Sequence, residues 1–184
     1  VKQKDSFRLQ VIYTQINRDQ QNTPSFKNYY FNTDSDLYFN PASTVKLPLA
    51  LLALEKLNNI HVKELNKYTS LLIDSDYHKQ TKVYNDSTAE NLLPSIAQYI
   101  RKAFLVSDND SYNRLYELVG QQSITRNLAG KGYKSLRITR QFLGLSTEDN
   151  RHTNTLRFIN KDDSPIYSHP AAYNTDSFSC GTFF

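Results

Sequence analysis

Ser43 and Lys46 lie three residues apart in NPASTVKLPLALLALEKL (residues 40–57), a stretch that is almost entirely apolar after its first few residues. On a helix these two side chains would share a face, which brings a hydroxyl and an amine within reach of each other. A serine hydroxyl becomes a nucleophile when a base removes its proton, and an amine serves as that base when burial lowers its pKa. The pair therefore predicts nucleophilic catalysis by Ser43, with Lys46 as the base.

The same pair also has a simpler interpretation. A chain with this serine and lysine content contains about one Ser-x-x-Lys pair by chance, and a lone lysine in an apolar helix usually extends its ammonium group to solvent.

A second motif favours the catalytic interpretation. Ser107, Asp108 and Asn109 stand together in LVSDNDSYNRLYELVG (residues 105–120), and such a triplet is expected by chance only about 0.1 times in this chain. The simpler interpretation of the triplet is helix capping, because all three residue types favour caps and turns. The two motifs together, in this order, favour a shared site.

The helix that carries the first motif should also orient it. Asn40 can cap this helix and Pro41 suits its first position, so the backbone N–H of Ser43 would be an unpaired donor at a positive helix end. Such a donor is suited to a developing oxyanion. Pro48 lies in the same helix and is expected to distort it just past the pair.

The other elements are predicted from periodicity and caps. Residues 7–16 alternate as a strand with one wetter face does, and residues 26–31 form its hairpin partner. Ser95 and Gln98 have capping-box spacing, and Gly120 fits a left-handed cap at a helix end. The remaining predicted elements are a short apolar patch at residues 71–73 and helices over residues 94–106, 110–120 and 123–129, followed by loop with weak strands.

Composition limits the class of protein. The 184 residues, 39% hydrophobic and 22% charged, predict one domain with its own core, spanning residues 1–184. The net charge of +4 is spread along the chain without a nucleic-acid motif, so we expect no nucleic-acid partner. No stretch approaches the roughly 20 apolar residues that a membrane-spanning helix needs.

The remaining candidate chemical groups carry no signal of their own. Cys180 is the only cysteine, which excludes an internal disulfide, and we interpret it as a bystander. The four histidines lack metal-ligand spacing, so we predict no metal site and no cofactor. Because the chain starts at Val1 and contains no methionine, we expect its natural N-terminus and any export signal to lie outside it.

The two motifs together resemble a known superfamily. PASTVKLPLALLALEKL followed by LVSDNDSYNRLYELVG resembles the active-site serine helix and the Ser-Asp-Asn loop of the class A β-lactamase and penicillin-binding-protein superfamily. The sequence is most similar to the β-lactamase-related serine hydrolases of Bacteroidetes, over roughly residues 5–155. The resemblance implies an α+β fold in which a helical domain packs on an antiparallel sheet, with the site in the crevice between them.

The resemblance also implies roles for the motif residues. Ser43 would be the acylated nucleophile and Lys46 its base or proton relay. Ser107 would pass the proton to the leaving amine, Asn109 would hold the substrate's amide, and Asp108 would brace the loop. The implied substrate is a β-lactam or a peptidoglycan peptide, and the implied location is periplasmic or secreted.

Two features depart from the superfamily. Its third motif, Lys-Thr-Gly or Lys-Ser-Gly on an inner strand, is absent, and SCGTFF (residues 179–184) does not replace it, so we expect a truncated domain with an incomplete sheet. In the loop that resembles the carrier of the deacylating glutamate (residues 137–155), Phe142 falls about where that glutamate should be, and His152 falls where an aspartate usually pairs with the loop arginine. Glu148 is the only glutamate on this loop and is the candidate for activating water, but the favoured interpretation of Glu148 is a solvated turn residue.

Three functions remain open at this point. The first is a serine hydrolase or acyltransferase that acts on β-lactams or cell-wall peptides. The second is a binding or sensor domain that keeps the fold and turns over nothing, and the third is an esterase that uses the same Ser-Lys pair. If no residue activates water, an acyl-enzyme would form and persist, as in a penicillin-binding protein.

Overall fold

The computed structural model describes residues 2–177 and contains helices and antiparallel strands, which confirms the predicted α+β class. The described chain divides into two compact units, one within residues 2–40 and one within residues 41–177. The predictions about Cys180 and the SCGTFF segment concern residues outside the described part of the chain.

The first unit is a β-hairpin. Strands β1 (Val11–Arg18) and β2 (Pro24–Phe31) pair antiparallel, with the first residue of β1 opposite the last residue of β2. The Asp19 carboxylate closes the connection by accepting backbone hydrogen bonds from Gln21 and Thr23. The hairpin was predicted correctly, but its first strand starts later than expected because Arg8 has a φ of +50° and the preceding residues form turns.

The second unit contains the predicted helices. A short 3-10 helix (Ala42–Val45) leads into α1 (Lys46–Asn58), and α2 (Ile96–Leu105), α3 (Asn109–Val119) and α4 (Gln121–Gly130) follow. Ser95 caps α2 by accepting a hydrogen bond from the Gln98 N–H at 3.2 Å, as the capping-box spacing predicted.

The start of the first helix differs from the expectation. Pro41, not Asn40, is the cap position of the 3-10 helix, and Pro41 makes no side-chain cap hydrogen bond. Ala42 has a φ of +46°, which is left-handed and does not allow a regular α-helix to begin at Pro41. Pro48 is the third residue of α1, which begins at Lys46. Backbone N–H groups in the first turn of a helix have no partner within it, so the N–H that proline lacks does not require α1 to be distorted there.

The junction between α3 and α4 also differs from the expectation. Gly120 ends α3 with φ +82° and ψ +139°, so it does not form the predicted left-handed helical cap. Its positive φ still explains why glycine stands there. In this conformation it ends α3 and directly precedes α4.

A small antiparallel sheet completes the second unit. Strands β3 (Ser70–Ile73), β4 (Leu156–Ile159) and β5 (Pro165–His169) pair in the order β3-β4-β5. The apolar patch predicted at residues 71–73 is therefore a strand. Leu71, Ile73, Leu156 and Phe158 are fully buried in the core of this unit.

Helix α3 lies at the centre of the second unit. All its residues from Ser111 to Val119 are buried, and α1 and α2 both pack against it. Its Tyr112, Tyr116 and Leu115 join Leu49 of α1 in the core, and each such side chain contributes roughly 1.5–3 kcal/mol when it is buried. This packing brings the start of α1 next to the connection between α2 and α3.

The longest helix among residues 2–177 is α1, with 13 residues. None of the helices in that range has the length and apolar character required to cross a membrane.

Candidate active site

The packing of α1 on α3 brings the two sequence motifs together. The Lys46 Nζ lies 2.9 Å from the Ser107 Oγ, 2.9 Å from the Asn109 Oδ1 and 3.4 Å from the Ser43 Oγ. It also donates to the Ser107 carbonyl oxygen. The hydroxyl oxygens of Ser43 and Ser107 are 3.1 Å apart. Ser43, Lys46, Ser107 and Asn109, all named from the sequence, therefore form one cluster.

The backbone next to both hydroxyls is strained. Ala42 directly precedes Ser43 with a φ of +46°, and Ser107 itself has a φ of +55°. Left-handed backbone at a residue other than glycine costs on the order of 1 kcal/mol and persists where the surroundings impose it. At Ser107 the effect is to direct the carbonyl and the hydroxyl of one residue toward the same amine.

Hydrogen-bond types around Lys46 fit an ammonium group that donates to all four oxygens, and they also fit a neutral amine. The Ser107 carbonyl and the Asn109 Oδ1 are acceptors only, and a neutral amine has two N–H bonds to satisfy them. Its lone pair then remains for a proton from one of the two hydroxyls, Ser43 or Ser107. An amine held in this way can act as a base.

Burial promotes this neutral state. Lys46 is only 3% exposed, and desolvation lowers its pKa below the ordinary value of 10.5, while the nearby Asp108 carboxylate partly opposes the shift. Burial raises the pKa of Asp108, but hydrogen bonds from Ser111 outweigh this and lower it overall. Asp108 therefore stays ionised as the cap of α3, which matches the bracing role expected for it.

The cluster is open on the side of the hydroxyls. Ser43, Ser107 and Asn109 are exposed, whereas Lys46 lies beneath them. Ser43 is in the first turn of the 3-10 helix. Its N–H therefore has no partner within that helix and lies at the positive helix end. A carbonyl group from solvent can therefore reach the Ser43 hydroxyl with a backbone donor beside it.

Phe142 covers the other side of the amine. Its ring centroid lies 5.3 Å from the Lys46 Nζ. Its N–H donates to the Asn113 Oδ1 at 2.7 Å, and its ring packs at 4.6 Å on Tyr112. Tyr112 and Asn113 were not predicted from the sequence. The signal for Asn113 is that it follows Asn109 by four residues and so shares its helix face.

Glu148 occupies a separate turn. Its carboxylate lies 3.4 Å from the His152 Nε2 and 3.6 Å from the Arg151 Nε, and its side chain is 56% exposed. Within residues 2–177, none of its hydrogen bonds or ion pairs involves Ser43 or Lys46. His152 also stacks on Tyr77 with ring centroids 3.6 Å apart, so the turn of Glu148 contacts the segment that carries Tyr77.

A buried ion pair braces the far part of α3. Arg114 donates to Glu117 at 3.1 Å, and the Asn154 amide donates to the second oxygen of Glu117 at 3.2 Å. Burial raises the pKa of Glu117 to about 7, although Arg114 opposes the shift. Glu117 lies two turns after Asn109 on α3, and its contacts fix the helix that carries Asn109 and Asn113.

Within residues 2–177, no group of three His, Cys, Asp or Glu side chains is arranged to hold a metal ion.

Comparison with known proteins gives a match at the family level. Residues 4–163 match the family model Beta-lactamase2, described as the beta-lactamase enzyme family. No curated protein and no solved structure gives a significant match. The matched range contains Ser43, Lys46, Ser107, Asn109 and Glu148. It does not bear on the narrower resemblance to the Bacteroidetes hydrolases.

Proposed function

Because the chain belongs to the beta-lactamase enzyme family, we propose that it is a serine acyl hydrolase that reacts with β-lactams or peptidoglycan peptides through an acyl-enzyme on Ser43. The observation that carries this proposal is the contact of one buried amine, Lys46, with the two exposed hydroxyls of Ser43 and Ser107. A periplasmic or secreted location belongs to the same proposal.

Acylation would begin with the removal of the Ser43 proton. Neutral Lys46 takes it either directly over 3.4 Å or through the Ser107 hydroxyl, over contacts of 3.1 Å and 2.9 Å. The relay has the shorter contacts, which favours Ser107 as the first acceptor. The Ser43 Oγ then bonds to the substrate's amide carbon, and the backbone N–H of Ser43 stabilises the oxyanion.

Collapse of that intermediate would complete the acylation. The C–N bond of the amide breaks, and the leaving nitrogen receives a proton from Ser107, which Lys46 replenishes. The amine is thereby neutral again and the acyl group remains on the Ser43 Oγ. The same groups thus act as base in the first half and as acid in the second.

Asn109 would have two functions in this reaction. Its Oδ1 accepts a hydrogen bond from Lys46 at 2.9 Å and fixes the position of the amine. Its exposed amide nitrogen keeps two donors for a carbonyl of the substrate's side chain. This agrees with the substrate-binding role that the resemblance implies.

Hydrolysis of the acyl-enzyme has weaker support. Phe142, an aromatic side chain, packs next to Lys46, and the carboxylate of Glu148 pairs with Arg151 and His152. Water activation by Glu148 remains a prediction. The packing of Phe142 favours a slowly hydrolysed acyl-enzyme, and therefore a second candidate function, a covalent β-lactam-binding or sensor domain.

The test uses the protein with a fluorescent penicillin and a chromogenic cephalosporin, followed by intact mass spectrometry. We expect a stoichiometric adduct on the wild type and on Ser35→Ala, a matched control at an exposed serine of the hairpin unit, and none on Ser43→Ala. Rapid colour with the cephalosporin would indicate turnover. Absence of any adduct, with ester hydrolysis lost in Ser43→Ala, would replace the proposal with a Ser-Lys esterase; absence of both activities would leave a silent binding domain.

A further inference from the structure

We propose that Phe142 is a positioning residue for Lys46: its ring covers the amine, holds it toward Ser43 and Ser107, and keeps bulk water away from it. This inference rests on the acylation chemistry proposed above, because it concerns the base of that reaction.

The contacts of Lys46 divide into a polar side and an apolar side. Its polar partners belong to Ser43, Ser107 and Asn109. The Phe142 ring, 5.3 Å from the Nζ, is the aromatic contact. Since a phenyl ring has no lone pair to offer, the amine satisfies its hydrogen bonds by pointing toward the two hydroxyls and Asn109. The ring thereby defines the direction of the base.

Helix α3 holds both sides of this arrangement. Asn109 at its first turn accepts from Lys46, and Asn113, one turn later, accepts from the Phe142 N–H at 2.7 Å. Tyr112 packs under the Phe142 ring and donates its hydroxyl to the Arg140 carbonyl at 2.9 Å. The loop of Phe142 is thus tied to the same helix face that positions the amine.

The ring has two opposite electrostatic effects on Lys46. Its π face attracts an ammonium ion, which favours the charged form. Its apolar bulk excludes water, which favours the neutral form. The Asp108 carboxylate at the start of α3 raises the pKa of Lys46, and Lys102 of α2 lowers the pKa of Asp108. Arg140 lies two residues before Phe142.

These two effects can be separated with two substitutions. Phe142→Leu keeps an apolar cover but removes the π face, so the ammonium form loses support and the pKa of Lys46 should fall by about half a unit or more. Phe142→Ala opens the cover to water, so the pKa of Lys46 should rise toward its ordinary value. A ring that merely fills space would not produce shifts in opposite directions.

The experiment is a pH titration of the protein carrying 13Cε-labelled lysine, followed by NMR, with the Lys46 signal assigned from Lys46→Arg. Leu143→Ala, at a neighbouring side chain that is 49% exposed, is the matched control and should titrate like the wild type. Thermal melting checks that each variant is folded. If Phe142→Ala does not fold, the downward shift in Phe142→Leu decides the result alone.

Shifts in the same direction, or no shift in Phe142→Leu, would overturn the inference. Because the titration needs no substrate, it gives this result even if the wild type is never acylated, an outcome that would reject the proposed function separately. Where acylation does occur, the midpoint of the rate against pH should move with the titration in both variants.

Discussion

The Ser43 and Ser107 hydroxyl oxygens lie 3.1 Å apart, although 64 residues separate them in the chain. Lys46 contacts both, at 3.4 Å and 2.9 Å. The three groups form a triangle in which a proton can pass from Ser43 to the amine along either of two paths. The relative use of these paths is the first property that substitution can test.

Removal of the Ser107 hydroxyl should slow acylation roughly 10²–10⁴-fold, as expected for the loss of a proton-transfer group. Ser107→Gly is the preferred variant, because glycine keeps the φ of +55° without strain. It should be as stable as the wild type or more stable, whereas Ser107→Ala should be equally slow without that gain. The measurements are the second-order acylation rate and the melting temperature. A rate within threefold of the wild type would exclude the relay through Ser107.

Replacement of Lys46 by arginine should abolish the pH dependence of acylation along with most of its rate. Burial lowers the pKa of Lys46 below 10.5, so the wild-type rate should rise with pH and level off before that value. Arginine stays protonated throughout this range and supplies no lone pair. The measurement is the acylation rate from pH 6 to pH 10. A rising profile that persists in Lys46→Arg would assign the base to another group.

The left-handed backbone of Ala42, next to the proposed nucleophile Ser43, should affect the free energy of unfolding. Ala42→Gly removes the steric conflict at φ +46° and should raise the free energy of unfolding by about 1 kcal/mol. Ala103→Gly, in the right-handed interior of α2, is the opposite control and should lower it by about 1 kcal/mol or more. Urea denaturation measures both. Equal losses in the two variants would contradict the strain at Ala42.

The features that the sequence predicted correctly depend on short spacings. Ser43 and Lys46 are close because they are one helical turn apart, and Ser95 caps α2 because of its spacing to Gln98. Such relations are encoded locally, so a pattern of residue types is enough to read them. The meeting of both motifs needed the family resemblance as well, since packing of α1 on α3 decides it.

The features that the sequence did not predict depend on tertiary packing or on a disfavoured backbone. Asn113 holds the backbone of Phe142, 29 residues away, and no local pattern links the two. Ala42 adopts a left-handed conformation that alanine disfavours. The presence of alanine at this position therefore did not predict the 3-10 helix that precedes α1. Strain near a reactive hydroxyl is where local rules are expected to fail.

The buried Glu117 should give the protein a measurable pH-dependent stability. Its pKa is about 7 in the folded chain against an ordinary 4.5, so between these values the folded state binds more protons than the unfolded state. Stability contributed by this group is therefore present below pH 4.5 and is lost as the pH rises toward 7, by at most roughly 3.4 kcal/mol.

Glu117→Gln should flatten this loss. The glutamine still fits between Arg114 and Asn154, and Arg114 retains its ion pair with Asp110 at 3.0 Å. Glu90→Gln, at an exposed surface position, should keep the wild-type slope. Urea denaturation at pH 5 and pH 7.5 measures the difference. A parallel loss in the wild type and in Glu117→Gln would mean that the carboxylate is already ionised at pH 5.

The lifetime of the acyl-enzyme should not depend on Glu148 if its observed partners persist after acylation. The carboxylate lies 3.4 Å from His152 and 3.6 Å from Arg151, within its own turn. Because a general base must reach the water that attacks the acyl carbon on Ser43, we expect Glu148→Gln to change the adduct's half-life by less than twofold. Intact mass spectrometry after removal of excess penicillin measures it. A tenfold longer half-life in Glu148→Gln would instead assign water activation to this residue and require its turn to move toward Ser43.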